Sequence, residues 1–160
     1  MAVRAPGVSE YGSVDPAPPQ QDGDVRQWSA LLMNEEAPMF QRMRTVFSLR
    51  NDGTDDACLA LCAAFVTKSA LLRHELAYVL GQMQNPTALP TLIERLCDEH
   101  EHIMVRHEAA EAMGAIGDLT AKPILQAHLQ DPNPEVAESC EVALDLLNWC
   151  ASPKWEKTTW

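Results

Sequence analysis

Basic residues are scarce in this sequence: 12 Lys and Arg stand against 23 Asp and Glu, for a net charge of −11. A surface that holds DNA or RNA needs the opposite sign, so nucleic acid is not an expected partner. The acidity suits a basic or polyamine-like partner, and it equally suits plain solubility. Aromatic residues are also few, 6% against a hydrophobic content of 46%. Aliphatic and Ala-rich content fits packed helices better than a β-sandwich. No segment alternates with period two for long enough to form a strand. No apolar run approaches membrane-spanning length, and the first residues lack the apolar core of a secretory signal. A cytoplasmic location without membrane contact is therefore expected. The cysteines are Cys58, Cys62, Cys97, Cys140 and Cys150. Their odd number and the lack of a Cys-x-x-Cys point to reduced thiols, not to a disulfide frame or a zinc site.

What is present is a repeat. Residues 1–24 are rich in Pro, Gly, Ser, Gln and Asp and are expected to form a disordered tail. Residues 151–160 read as a second short tail, whose Trp155 and Trp160 either dock or hang free. Between them, Arg42-Met43-Arg44, Arg73-His74-Glu75, Arg106-His107-Glu108 and Ala137-Glu138-Ser139 open four similar helical stretches. The successive offsets are 31, 33 and 31 residues. A period of this size marks stacked helical hairpins. Leu72, Leu76, Val79, Leu80 and Met83 recur at helical spacing in the second stretch, and Val105, Ala109, Ala112, Met113 and Ile116 in the third. Partner helices are expected over about 25–33, 54–66, 86–96 and 119–130, with Asp131-Pro132-Asn133-Pro134 as a break. The expected fold is an all-α solenoid of about four hairpins over residues 25–150, each burying its apolar face on the next.

Two His-Glu pairs carry the chemical signal. His74-Glu75 and His107-Glu108 occupy one position in adjacent repeats, so their side chains should line one groove. Imidazole plus carboxylate is a ligand set for iron, manganese or zinc. Neighbours on a helix point about 100° apart, so one pair tends to address two metals, or a metal and a substrate. The outer repeats carry Met43-Arg44 and Glu138-Ser139 there, so the pair is no packing need of the repeat. The bland alternative is a repeat duplicated with its surface intact. His-Glu-x-x-His is absent, and the Glu-x-x-His spacing occurs only at Glu99–His102, in an expected loop. His100 and His102 read as solvated loop residues, His128 as an ordinary helix-face residue, and Met83, Met104 and Met113 as core fillers.

The stretches from Ser69 to Met83 and from Met104 to Gly117 resemble the two N-terminal His-Glu motifs of the deoxyhypusine hydroxylase family. Arg44–Arg50 and Pro134–Cys140 extend the likeness, which runs from about Trp28 to Trp149. It implies HEAT-like repeats, a di-iron centre shared by two similar halves, and dioxygen as co-substrate. It further implies hydroxylation of deoxyhypusine on a translation initiation factor. His74, His107 and Glu75 would be iron ligands, with Glu108 left open between ligand and contact for the cationic substrate. That family uses four His-Glu pairs, and this sequence has two at that repeat position; a third His-Glu dipeptide, His100-Glu101, lies in the expected loop. The expected remedies are a fragment of a longer chain, a separate C-terminal half, or a homodimer about a two-fold axis. A non-catalytic scaffold that binds protein through the groove is the alternative. A bilin-lyase reading shares the fold but gains nothing from the pairs.

Overall fold

The computed structural model describes residues 4–159, so Trp160 lies outside the described residues. Among the described residues the regular elements are helices alone. α1 (Val25–Met33) pairs with α2 (Met39–Asp52), α3 (Asp55–Ala63) with α4 (Ala70–Met83), α5 (Leu89–Cys97) with α6 (Ile103–Ile116), and α7 (Lys122–Ala127) with α8 (Pro134–Cys150). These are the four expected hairpins. No helix is long and apolar enough to cross a membrane. All five thiols are free, with Cys58 and Cys140 buried.

Local chemistry sets the ends. Asp24 accepts from the Gln27 backbone while the Gln27 side chain accepts from the Asp24 backbone, a reciprocal cap on α1. Thr54 and Ser69 cap α3 and α4 through their hydroxyls. The expected leading helices of the third and fourth hairpins each begin with a turn of 3₁₀ helix, Pro86–Ala88 and Leu119–Ala121, before α5 and α7. His102, expected to be a solvated loop residue, is exposed but also caps α6, its Nδ1 accepting from the Met104 backbone at 3.2 Å.

α4, α6 and α8 stack side by side and carry most of the inter-repeat core, including Leu76, Leu80, Val105, Met113 and Leu144. They approach closely through repeated small residues. A Cβ built on Gly81 would stand 3.0 Å from the Ala112 Cα, and one on Gly114 would stand 2.9 Å from the Ala143 Cα. Gly81 and Gly114 are equivalent positions of the repeat, as are Ala112 and Ala143. In the first repeat the matching residue is Arg50, which is too large to permit such an approach.

The arginine before each His-Glu pair belongs to the scaffold. Arg42 and Arg106 are buried, and their Nε atoms donate to Leu32 O and Leu96 O, each at 2.9 Å. Arg106 then pairs with Asp131, and Arg73 with Glu101 and Thr67 O. Arg42 does the same work in a repeat that has no His-Glu pair, which separates the arginine from the metal question. Burial alone would raise the Asp131 carboxyl. Hydrogen bonds from Arg106 and Asn133, with the Arg106 charge, outweigh it and hold the pKa below its ordinary value. Glu101 is lowered in the same manner against burial, by Arg73, the His102 backbone and Arg95. A depressed carboxyl stabilises the fold above its unfolded value and loses that contribution as pH falls through the folded value. The melting temperature should therefore drop as pH falls below about 4. Calorimetry should show a shallower acid drop for Asp131→Asn, and an unchanged slope would contradict the assignment.

The Pro-rich tail is a correction. Residues 4–24 hold no helix or strand, yet much of this segment packs as a strap along α2 and α4. Ala17 is buried, Arg44 donates to Pro18 O and Pro19 O at 3.0 Å, and the Gln20 backbone donates to Ser48 Oγ at 2.8 Å. Asp15 pairs with Arg50 at 2.7 Å, and the Arg50 side chain is 0% exposed. The guanidinium also lies 4.4 Å from the Tyr11 ring centroid. The strap is ordered by long-range partners rather than by its own composition. Asp15→Ala should cost about 3 kcal/mol, since it strands a buried charge. The cost is capped by that of releasing the strap, which would return Arg50 to water. A melting temperature within a degree of wild type would show that the strap does not hold.

Candidate metal centre

His74 stands in the second turn of α4, and His107 and Glu108 at the same height of α6. Because Gly81 and Ala112 bring these helices together, the two imidazole rings come within 5.8 Å, centre to centre. His74 Nε2 lies 3.2 Å from Glu108 Oε2. His74, His107 and Glu108 each offer a ligand-capable atom, and these atoms all lie within 4.8 Å of one another. His74 Nδ1 is buried with no hydrogen-bond partner among the described residues, which is costly unless something else binds there.

Glu75 is not one of the three. It is buried one residue further round α4, where the turn between neighbours carries it off the His74 direction. Burial raises the Glu75 pKa; the His74 charge opposes this, while Glu108 and Asp15 reinforce it. The hydrogen bond to Glu108 raises the His74 pKa; burial opposes it, and the carboxylates of Glu108, Glu75 and Glu111 add to it. Resemblance gave the ligand role to Glu75 and left Glu108 open. The geometry gathers Glu108 with both histidines, because its side chain reaches across to the neighbouring helix.

Glu111 was not singled out from the sequence. It lies four residues after His107, hence on the same face, and that spacing was the available signal. Its Oε1 is 3.5 Å from His107 Nδ1 and accepts from Ser139 Oγ at 3.0 Å. Beside the cluster is a cavity of about 500 Å³, walled by Tyr11, Tyr78, Glu108, Glu111, Val142 and Leu146 among others. His100 is exposed and outside the cluster, and His128 Nδ1 is 2.8 Å from Ile124 O.

Comparison with known proteins agrees with this architecture. A family model described as HEAT repeats matches residues 59–145. The deoxyhypusine hydroxylase of Gallus gallus is 52% identical over 151 residues, covering 94% of this chain and 50% of that protein. That of Eremothecium gossypii is 51% identical over 144 residues, covering 88% of this chain and 45% of that protein. The structure of human deoxyhypusine hydroxylase in complex with glycerol superposes with a TM-score of 0.86 at 48% identity, covering 90% of this chain and 50% of that one. The chain thus spans about half the length of the relatives it matches. It belongs to the HEAT-repeat family, and over about half of their length it is a homologue of the deoxyhypusine hydroxylases.

Proposed function

We propose that this chain supplies half of the catalytic centre of a deoxyhypusine hydroxylase, acting in the cytoplasm on a translation initiation factor. The observation that carries the reading is the convergence of His74, His107 and Glu108 ligand atoms within 4.8 Å, from one position of two adjacent repeats. Two imidazoles and one carboxylate are the donor set of non-haem iron(II) oxygenases. The partnerless, buried His74 Nδ1 fits a group held at this place. Iron bound there would supply the site at which dioxygen is activated for hydroxylation. The chain's own residues do the rest. His74 and His107 hold the ion from two helices, so the α4–α6 spacing fixes the distance between them. Glu108 supplies the anionic ligand. Glu75, buried one residue further round α4, would offer its carboxylate to a second metal or to a substrate ammonium. Five free thiols suit a reducing compartment.

The family resemblance calls for two further His-Glu pairs and a second iron. A further segment of the polypeptide, a separate chain or a second copy about a two-fold axis would bring them. The test is size-exclusion chromatography, with iron content and hydroxylation of deoxyhypusine followed across the fractions. Activity should track fractions in which this chain is joined to a second half. Full activity in a monomeric peak of this chain alone would overturn the half-centre. Absence of iron from every fraction, after anaerobic loading with Fe(II), would favour a non-catalytic scaffold.

A further inference from the structure

The leading helices carry two thiols that the metal reading does not use. Cys58 and Cys62 lie four residues apart on α3, hence on one face. At Cys62 that face meets the third hairpin, where the Thr91 hydroxyl of α5 hydrogen-bonds to the sulfur. The pair therefore stands outside the α4–α6–α8 stack that holds the His-Glu cluster. Among the described residues no third His, Cys, Asp or Glu joins it, and two sulfurs alone do not fill the tetrahedral set of zinc.

The two thiols are unequal. Cys58 is 0% exposed, whereas Cys62 is partly exposed. The hydrogen bond from Cys58 lowers the Cys62 pKa to about 7; burial opposes it, and the bond to Thr91 adds to it. The same bond pushes the Cys58 thiol up, and burial with the charges of Cys62 and Asp55 pushes it further. Near pH 7 about half of Cys62 is then thiolate, against about 3% of an ordinary thiol. A nucleophile that solvent can reach thus has a protonated thiol directly behind it.

Cβ atoms four apart on a helix are separated by about 5–6 Å, and a disulfide needs about 3.5–4.5 Å. Closing the pair must therefore tighten or unwind the last turn of α3. That turn is already irregular. The Ala64 N–H is shared between Leu61 O and Cys62 O, and a 3₁₀ turn, Ala64–Val66, follows at once. Thr67 comes next and is buried, its Oγ1 accepting from Arg42 at 2.9 Å and its carbonyl from Arg73 at 2.7 Å. Movement of the turn is thus passed to the residue before His74.

We infer that Cys58 and Cys62 form a peroxide-sensitive dithiol, with Cys62 as the attacking sulfur and Cys58 as the resolving one. Cys62 attacks hydrogen peroxide; the O–O bond breaks, one oxygen stays on sulfur as a sulfenic acid, and the other leaves as water. The Cys58 sulfur then bonds to Cys62, the S–O bond breaks, and the Cys58 proton leaves with the oxygen as a second water. Two thiols lose two electrons and two protons, and one peroxide is reduced to two waters. Disulfides in a reducing compartment are of this transient, sensing kind. The inference is independent of the hydroxylase reading.

The experiment exposes the metal-free full chain to hydrogen peroxide, quenches it at intervals, and maps the thiols by mass spectrometry. Trypsin releases Cys58 and Cys62 together on residues 51–68, apart from the other cysteines. That peptide should lose two hydrogens severalfold faster than Cys97 and Cys150 react, although both of those are exposed, and dithiothreitol should restore it. In Cys58→Ala the reaction should stop at a Cys62 sulfenic acid that dimedone traps. In Cys62→Ala the peptide should stay reduced. Oxidation in the order of exposure, with residues 51–68 last, would overturn the site. A Cys62 sulfenic acid that persists in wild type, with Cys58 still a thiol, would overturn the resolving role without recourse to a variant. The oxidised chain should melt lower than the reduced one; equal melting would show that closure does not reach Thr67.

Discussion

Replacing His74 or His107 with alanine is expected to abolish metal binding to this chain. On the proposed reading, each removes one of the three donors gathered within 4.8 Å of one another. Even partners that only orient a ligand cost up to about 100-fold in affinity when lost, so loss of a ligand should exceed that. The clean readout is the metal-induced rise in melting temperature, with Fe(II) added anaerobically. Binding to the folded state alone stabilises by about 2.7 kcal/mol at a hundredfold excess over Kd, and that gain should vanish in both variants. The metal-free variants should melt near wild type. His74 is only partly buried, and its removal also removes the partnerless Nδ1. The glutamates give the sharper test. Glu108→Gln should lose the metal-induced rise, and Glu75→Gln should keep most of it. The opposite pattern would restore Glu75 as the ligand and refute the reading of the cluster.

The second large effect is expected at a residue that binds nothing. Exchanging a helical glycine for a better helix former normally stabilises by about 1 kcal/mol. At Gly81 and Gly114 that gain is outweighed. A new Cβ would stand 3.0 Å and 2.9 Å from the Cα atoms of Ala112 and Ala143, and a backbone cannot step aside as a flexible side chain does. Valine at either site should cost about 3 kcal/mol, or about 6–12 °C in melting temperature for a chain of this size. The two variants should then part company. Gly81→Val pries α4 from α6, the helices that carry His74 and His107, and should weaken Fe(II) binding severalfold beyond what lower stability explains. Gly114→Val pries α6 from α8 and should leave Fe(II) binding nearly intact in the folded fraction. Equal loss of metal affinity in both would show that the spacing at Gly81 does not set the site.

The repeat was legible because its period leaves the same residue types at fixed offsets, and hairpin count, helix pairing and the common face of both histidines followed from it. Two things were not. The choice between Glu75 and Glu108 depends on which carboxylate reaches across to the neighbouring helix, and two adjacent glutamates in equal phase look identical in one dimension. The strap was misread because composition speaks only to what a segment can bury by itself. Asp15 finds its arginine 35 residues away, and nothing near Asp15 in sequence announces that. A clue was nonetheless present: Arg50 breaks the glycine pattern of Gly81 and Gly114, and a large charged residue at a close-contact position calls for a cover from elsewhere.

That cover has a consequence for the order of folding. Most contacts in a stack of hairpins are between neighbours in sequence, and such topologies assemble fast. The strap depends on distant partners, Asp15 with Arg50 at a separation of 35 residues and Ser13 with Gln82 at 69. Its closure must wait until α2 and α4 present their surfaces together. Arg50 therefore stays hydrated through helix formation and stacking, and it gives up its water only in the last step. A refolding experiment should resolve that step as a late phase, seen in Tyr11 fluorescence and absent from far-ultraviolet ellipticity, with Asp15→Ala slowing or removing it while the helices form at their usual rate.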